Sequence, residues 1–103
     1  MFTLFGNFAV VIISFGCNET KKIFHGMRSR SFASDIQVRA RRKLVQLDNS
    51  SALNDLKIPP SNRLERLKGD LQGYWSIRVN KQWRIIFLWD DGNPDDVKLI
   101  DYH

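Results

Sequence analysis

The chain has a single cysteine, Cys17, among its 103 residues. One cysteine closes no intrachain disulfide, and two histidines, His25 and His103, build no metal cluster. Three prolines and six glycines exclude collagen-like or proline-rich order. Acidic residues are scarce, 11 against 16 Lys and Arg, and none of the first seventeen positions is charged. That uncharged run is not read as a spanning helix. Such a helix needs about 20 predominantly apolar residues, and Thr3, Gly6, Asn7, Ser14 and Gly16 interrupt this one. Nor does it read as a secretory signal, because no Lys or Arg precedes Lys21. A phosphate-binding glycine loop, a paired-carboxylate motif and a Ser/His/Asp set are likewise missing.

What is present is ordinary globular composition, 43% hydrophobic and 26% charged. A chain of this length buries roughly two-thirds of its unfolded surface and needs no staple. Cys17 then reads as a small apolar filler in a reducing cytosol. The charge is unevenly placed: residues 1–84 carry a net +9 and residues 85–103 a net −4. A concentrated positive field favours a polyanion, whether nucleic acid, an anionic membrane or an acidic partner, and charge alone does not choose among them.

The stretch Ala9–Phe15 is rich in β-branched residues and of strand length, so a buried N-terminal strand is expected there. Met1–Val10 then forms an N-terminal extension to a single domain over 11–103. A short helix should be capped by Asn18 and run to His25, stopping at Gly26. His25 near that C-terminus is favoured by the helix dipole and needs no catalytic reading. A second helix should open with Ser34 as its cap. Its Ile36, Ala40, Leu44 and Leu47 fall on one face, with Arg39, Arg41, Arg42 and Lys43 spread over the rest. Asp48 to Ser51 ends it, Ala52–Leu56 adds one turn, and Pro59-Pro60 forbids continuation. Strands follow at Asn62–Leu67, Tyr74–Val79, Gln82–Trp89 and Val97–His103. Asn80-Lys81 suits a hairpin because Asn tolerates positive φ, and Asp90–Pro94 makes the next turn. The predicted fold class is α+β: an N-terminal strand and two helices packed on one face of an antiparallel meander sheet.

Polar residues should converge at one end of that sheet: Glu65, Arg66, Lys68, Arg84, Asp101, Tyr102 and His103. Arg84 is the most telling, since a charge inside an apolar central strand is costly unless paired or liganded. Its plain structural partner would be Asp101 or Glu65. The terminal His103 would, on position alone, be a frayed end.

Taken together, Leu64-Glu65-Arg66-Leu67-Lys68-Gly69-Asp70, Gly73–Asn80, Gln82-Trp83-Arg84-Ile85 and the closing Asp101-Tyr102-His103 resemble the HigB toxins. These form the host-inhibition-of-growth branch of the RelE/ParE superfamily. The resemblance spans roughly Val11 to His103 and implies that Met1–Val10 is an addition or a misplaced start. It implies a type II toxin that is a ribosome-dependent messenger-RNA endonuclease, needing no metal or other cofactor. It also implies a cytoplasmic location and a HigA-type helix-turn-helix antitoxin, with operator DNA bound only through the toxin–antitoxin complex. Lys68, Arg84, Asp101, Tyr102 and His103 match the family's active-site positions. Many members carry a His where this chain has Glu65.

The residue types suit that chemistry. Metal-free RNA cleavage takes the proton of a ribose 2′-OH, lets the oxygen attack the adjacent phosphate, and protonates the departing 5′-oxygen. Arg84 and Lys68 can stabilise the extra negative charge. His103 titrates near neutrality and is the best general acid or base. Tyr102 can stack on a base, Asp101 orients a cation or His103, and Glu65 is an opposing base or a partner for Arg66. Strand alternation sets Tyr102 on the face opposite Asp101 and His103. Arg39, Arg42 and Lys43 on the helix, with Arg63 and Arg66, are the candidate RNA-binding cations. Two other classes stay open: a non-catalytic inhibitor that binds a target such as gyrase, and a basic nucleic-acid-binding module.

Overall fold

The computed structural model describes residues 11–102. The expected extension Met1–Val10 and the terminal His103 lie outside the described residues. The chain runs α1 (Asn18–Phe24), α2 (Ser34–Asp48), β1 (Glu65–Arg66), β2 (Trp75–Arg78), β3 (Trp83–Asp90) and β4 (Asn93–Asp101), with short 3-10 turns at Leu53–Lys57, Pro60–Asn62 and Gly69–Leu71. The four strands form an antiparallel sheet in sequence order.

Helical spacing decides the packing. Ile36, Ala40, Leu44 and Leu47 are the buried residues of α2, as their four-four-three spacing requires. They meet Ile77, Val79, Ile85, Phe87, Val97 and Leu99 of the sheet, and Ile23 of α1 closes the same core. Both helices therefore lie on one sheet face, and among the described residues no α-helix covers the other. Buried Asn62 locks the connection: its side-chain amide donates to Gln46 and to the carbonyls of Leu56 and Ile58, while its oxygen accepts from Lys43.

The N-terminal strand expected at Ala9–Phe15 does not form over the described residues 11–15. The chain there is extended but makes only one parallel bridge, Phe15 to Val97. Single bonds join Ile13 N–H to the Pro94 carbonyl, Val97 N–H to Ser14 and Gly16 N–H to Val97. The edge it meets explains this. Pro94 has no N–H to give, Asp96 sits at φ 51, and the register shifts between Ile86 and Leu88, so no ladder propagates. Asp48 holds the segment instead, accepting from the amides of Val11 and Ile12 at 2.9 and 3.1 Å. An acid at a helix C-terminus opposes the dipole, and these two bonds give it a reason to be there.

Smaller corrections concern where elements begin and turn. Asn18 and Ser34 are the first helical residues rather than caps, which are Cys17 and Ala33. At Cys17, burial pushes the thiol pKa up, but hydrogen bonds with Thr20 and Glu19 outweigh it and leave the group below its ordinary value. Asn80 shapes its hairpin without positive φ, accepting from the amides of Gln82 and Trp83 at 2.8 Å each. The next turn is tighter than expected. Asp91 and Gly92 take φ of 49 and 84, the mirror-image turn that matches strand twist, so β4 begins at Asn93.

Leu44 is fully buried beneath the sheet. Leu44→Ala should lower unfolding free energy by about 2–5 kcal/mol, read from urea midpoints at unchanged slope.

Candidate active site

Arg84 stands in the second residue of central strand β3, opposite Arg78 on β2 and Ile100 on β4. Alternation turns it away from the helices. The first strand is two residues long, and its register sets Glu65 opposite Ser76. These side chains meet on the helix-free face. Arg84 Nη1 lies 3.1 Å from a Glu65 carboxylate oxygen and donates to Ser76 Oγ at 2.7 Å and to the Arg63 carbonyl at 3.4 Å. Arg63 reaches that place through a left-handed backbone, φ 46. The Tyr102 ring covers the guanidinium, with Cζ 5.1 Å from its centroid. Arg84 is 13% exposed and Glu65 48%.

Among the described residues, every polar contact of Arg84 runs through Nη1. Nη2 and Nε are left to grip an anion from a second side, in the fork that suits a phosphate. Of the two partners expected for Arg84, the structure chooses Glu65. Asp101 is on the opposite face, paired with Trp83 and accepting from Gln82 Nε2 at 3.0 Å. Lys68 is exposed in the turn beyond β1 and, among the described residues, makes no hydrogen bond or ion pair. It lies three positions along the chain from Glu65, on the order of 10 Å when extended. His103 is outside the described residues; the structure assembles Arg84, Glu65 and Tyr102, leaves Lys68 exposed beyond β1, and sets Asp101 on the other face of β4.

The helix cations gather elsewhere. Arg39, Arg42 and Lys43 line a cleft of about 890 Å³ with Arg78, Asn80, Lys81 and Gln82 of the hairpin. Burial and the like charge of Arg39 hold the Lys43 ammonium below the usual lysine range. Arg66 lies over the Trp75 ring, 5.6 Å from its centroid, rather than on Glu65. Ser76, the Arg63 carbonyl and Arg78 were missed from sequence. Alternation from Arg84 would have flagged Ser76 and Arg78, had the strand register been known.

Farther along the same face, Tyr74 donates to Asp96, and Lys98 packs 5.1 Å over the Tyr74 ring and 3.6 Å from Asp96. Among the described residues no group of three or more His, Cys, Asp or Glu is placed to hold a metal ion, and no helix is long and apolar enough to cross a membrane.

A family model described as RelE-like toxin of type II toxin-antitoxin system HigB matches residues 14–103. The chain belongs to the HigB toxin family. Toxin HigB-1 of Vibrio cholerae is 54% identical over 65 residues, 63% of this chain and 68% of its own. Endoribonuclease HigB of Proteus vulgaris is 34% identical over 94 residues, 90% of this chain and all of its own. In fold, a chain of the YoeB-YefM complex from Staphylococcus aureus superposes with a TM-score of 0.58 at 20% identity, covering 92% of this chain and 98% of that one. The expected family and α+β toxin fold are thereby borne out, and the endoribonuclease expectation agrees with the name of the Proteus relative. As a HigB-family toxin of a type II system, the protein has an antitoxin partner.

The hydrogen bond to Asp96, then burial, raises the Tyr74 pKa; the hydrogen bond with Tyr74 raises that of Lys98 against the opposing effect of burial. Both groups hold protons more tightly folded than unfolded. Their contribution is complete below their ordinary values of 10.0 and 10.5 and is lost as pH rises through the folded ones. Urea midpoints taken from pH 8 to 11 should therefore fall more steeply for the natural chain than for Tyr74→Phe.

Proposed function

We propose that this HigB-family toxin is a ribosome-dependent messenger-RNA endonuclease acting without a metal. Supporting this is the Arg84 guanidinium, whose polar contacts among the described residues all run through one nitrogen. Nη2 and Nε clamp the scissile phosphate and offset the charge that builds on the phosphorane. A base removes the ribose 2′-proton, the 2′-oxygen bonds to phosphorus, and the bond to the 5′-oxygen breaks. A proton from the acid completes the leaving 5′-hydroxyl, and a 2′,3′-cyclic phosphate remains.

We assign the acid to His103, by its chemistry and its match to the family pattern. Glu65 is the base: half exposed beside Arg84, it stands free to reach the 2′-OH while Nη2 and Nε hold the phosphate. Tyr102 holds the guanidinium flat and offers a surface for a base. Lys68, unengaged and exposed, adds positive charge as the strand docks, and Asp101 steadies the end of β4 that carries Tyr102 and His103. The few groups on an open face order flexible RNA poorly, so the ribosome supplies positioning. The antitoxin is of the HigA type with a helix-turn-helix fold, operator DNA is reached only through that complex, and the toxin works in the cytoplasm.

Mapping 5′ ends of messages after brief induction tests the reading. The natural chain should cut within translated frames. His103→Gln and Glu65→Gln should each slow cutting by about 10²–10⁴, and Glu65→Gln should bind RNA at least as tightly as the natural chain because it removes a negative charge beside the phosphate. Arg84→Ala should be inactive yet folded, since half-exposed Glu65 stays solvated. Growth arrest without new cuts would instead mark a binding poison, and equal cutting of naked RNA would remove the ribosome from the scheme.

A further inference from the structure

The cleft between α2 and the β2–β3 hairpin brings together five cations, Arg39, Arg42, Lys43, Arg78 and Lys81, and among the described residues no Asp or Glu lines it. Two of them stand on anchored positions. Asn62, fully buried, fixes the Lys43 ammonium from the far side. Asn80 ties down the turn that carries Lys81. Arg78 also faces Arg84 directly across the β2–β3 ladder. Two like charges so placed repel. Glu65 answers the Arg84 charge, whereas the cleft gives Arg78 no such answer. Crowding of this kind costs folding free energy unless an anion joins it.

We propose that the cleft is the track for the backbone of the message being cut, and that Arg78 passes the strand to Arg84. The inference rests on the nuclease reading and extends it. A phosphate held by Arg78 has its neighbour within reach of Arg84, because cross-strand side chains start only about 5 Å apart. Lys81, Lys43, Arg42 and Arg39 then carry successive phosphates away along α2, while Tyr102 on the other side of Arg84 stacks a base. Of the cations expected to bind RNA, Arg39, Arg42 and Lys43 lie on this track; Arg63 and Arg66 do not line it.

The test uses the full-length toxin and a fluorescent single-stranded 2′-O-methyl RNA, which lacks the attacking hydroxyl. Anisotropy titrations across salt should show Arg78→Gln and Lys81→Gln each weakening binding roughly tenfold and lowering the log–log salt slope by about 0.7, the share of one phosphate. On translating ribosomes Lys81→Gln should raise the toxin concentration needed for half-maximal cutting. Arg78→Gln should also lower the maximal rate, with partial return in Arg78→Lys. Unchanged affinity and slope in both variants would overturn the proposal. So would variants that bind the oligonucleotide normally but fail to pellet with message-free ribosomes, since the cleft would then serve ribosomal RNA. If the natural chain binds the oligonucleotide through these residues but cuts no message, the track stands and the nuclease reading falls.

Discussion

A guanidinium in the middle of a sheet sets conditions on everything near it. Arg84 has lost most of its water, so it needs a carboxylate and neutral acceptors at short range. The carboxylate comes from β1, a strand of two residues whose main structural work is to set Glu65 opposite Ser76. The left-handed backbone at Arg63 turns the chain into that strand and adds a carbonyl. The end of β4 contributes the Tyr102 ring. Four segments distant in sequence thus converge because one buried charge has to be accommodated.

The division of labour between the two sheet faces makes this possible. All of the helical packing lies on one side, where Leu44, Leu47, Ile77, Ile85 and Phe87 exclude water. The opposite face keeps only a small apolar strip, including buried Ile86 and Leu67, and otherwise carries ionisable groups. Charges there can be spent on phosphate without weakening the core, and in the proposed reading a substitution at Arg84 or Glu65 acts on chemistry before it acts on folding.

How much of this was legible beforehand follows from how local each determinant is. Ile36, Ala40, Leu44 and Leu47 announce the buried face of α2 by spacing alone. Arg84 stands out as the one charge in an apolar strand, and the closing Asp101-Tyr102-His103 carries the family likeness. Its partner could not be read, because Glu65 or Asp101 is decided by register, and register arises from pairing between strands. The missing N-terminal strand has a similar origin: the β-branched run invites one, but Pro94 and Asp96 on the receiving edge refuse it. Ser76 and Asn62 are silent in sequence because a buried polar residue looks like an exposed one until its neighbours are known.

The two hairpins at the ends of β3 carry opposite charge. Arg78 and Lys81 stand at one end, and Asp90, Asp91, Asp95 and Asp96 at the other. Eight residues of strand separate them, on the order of 25 Å. The molecule is therefore an electric dipole as well as a net cation. In the field of a polyanion it experiences a torque, turning its acidic tip outward and its basic end inward before contact. Encounters then begin with the basic Arg78–Lys81 hairpin leading, and only rotation about the long axis of β3 is left to search.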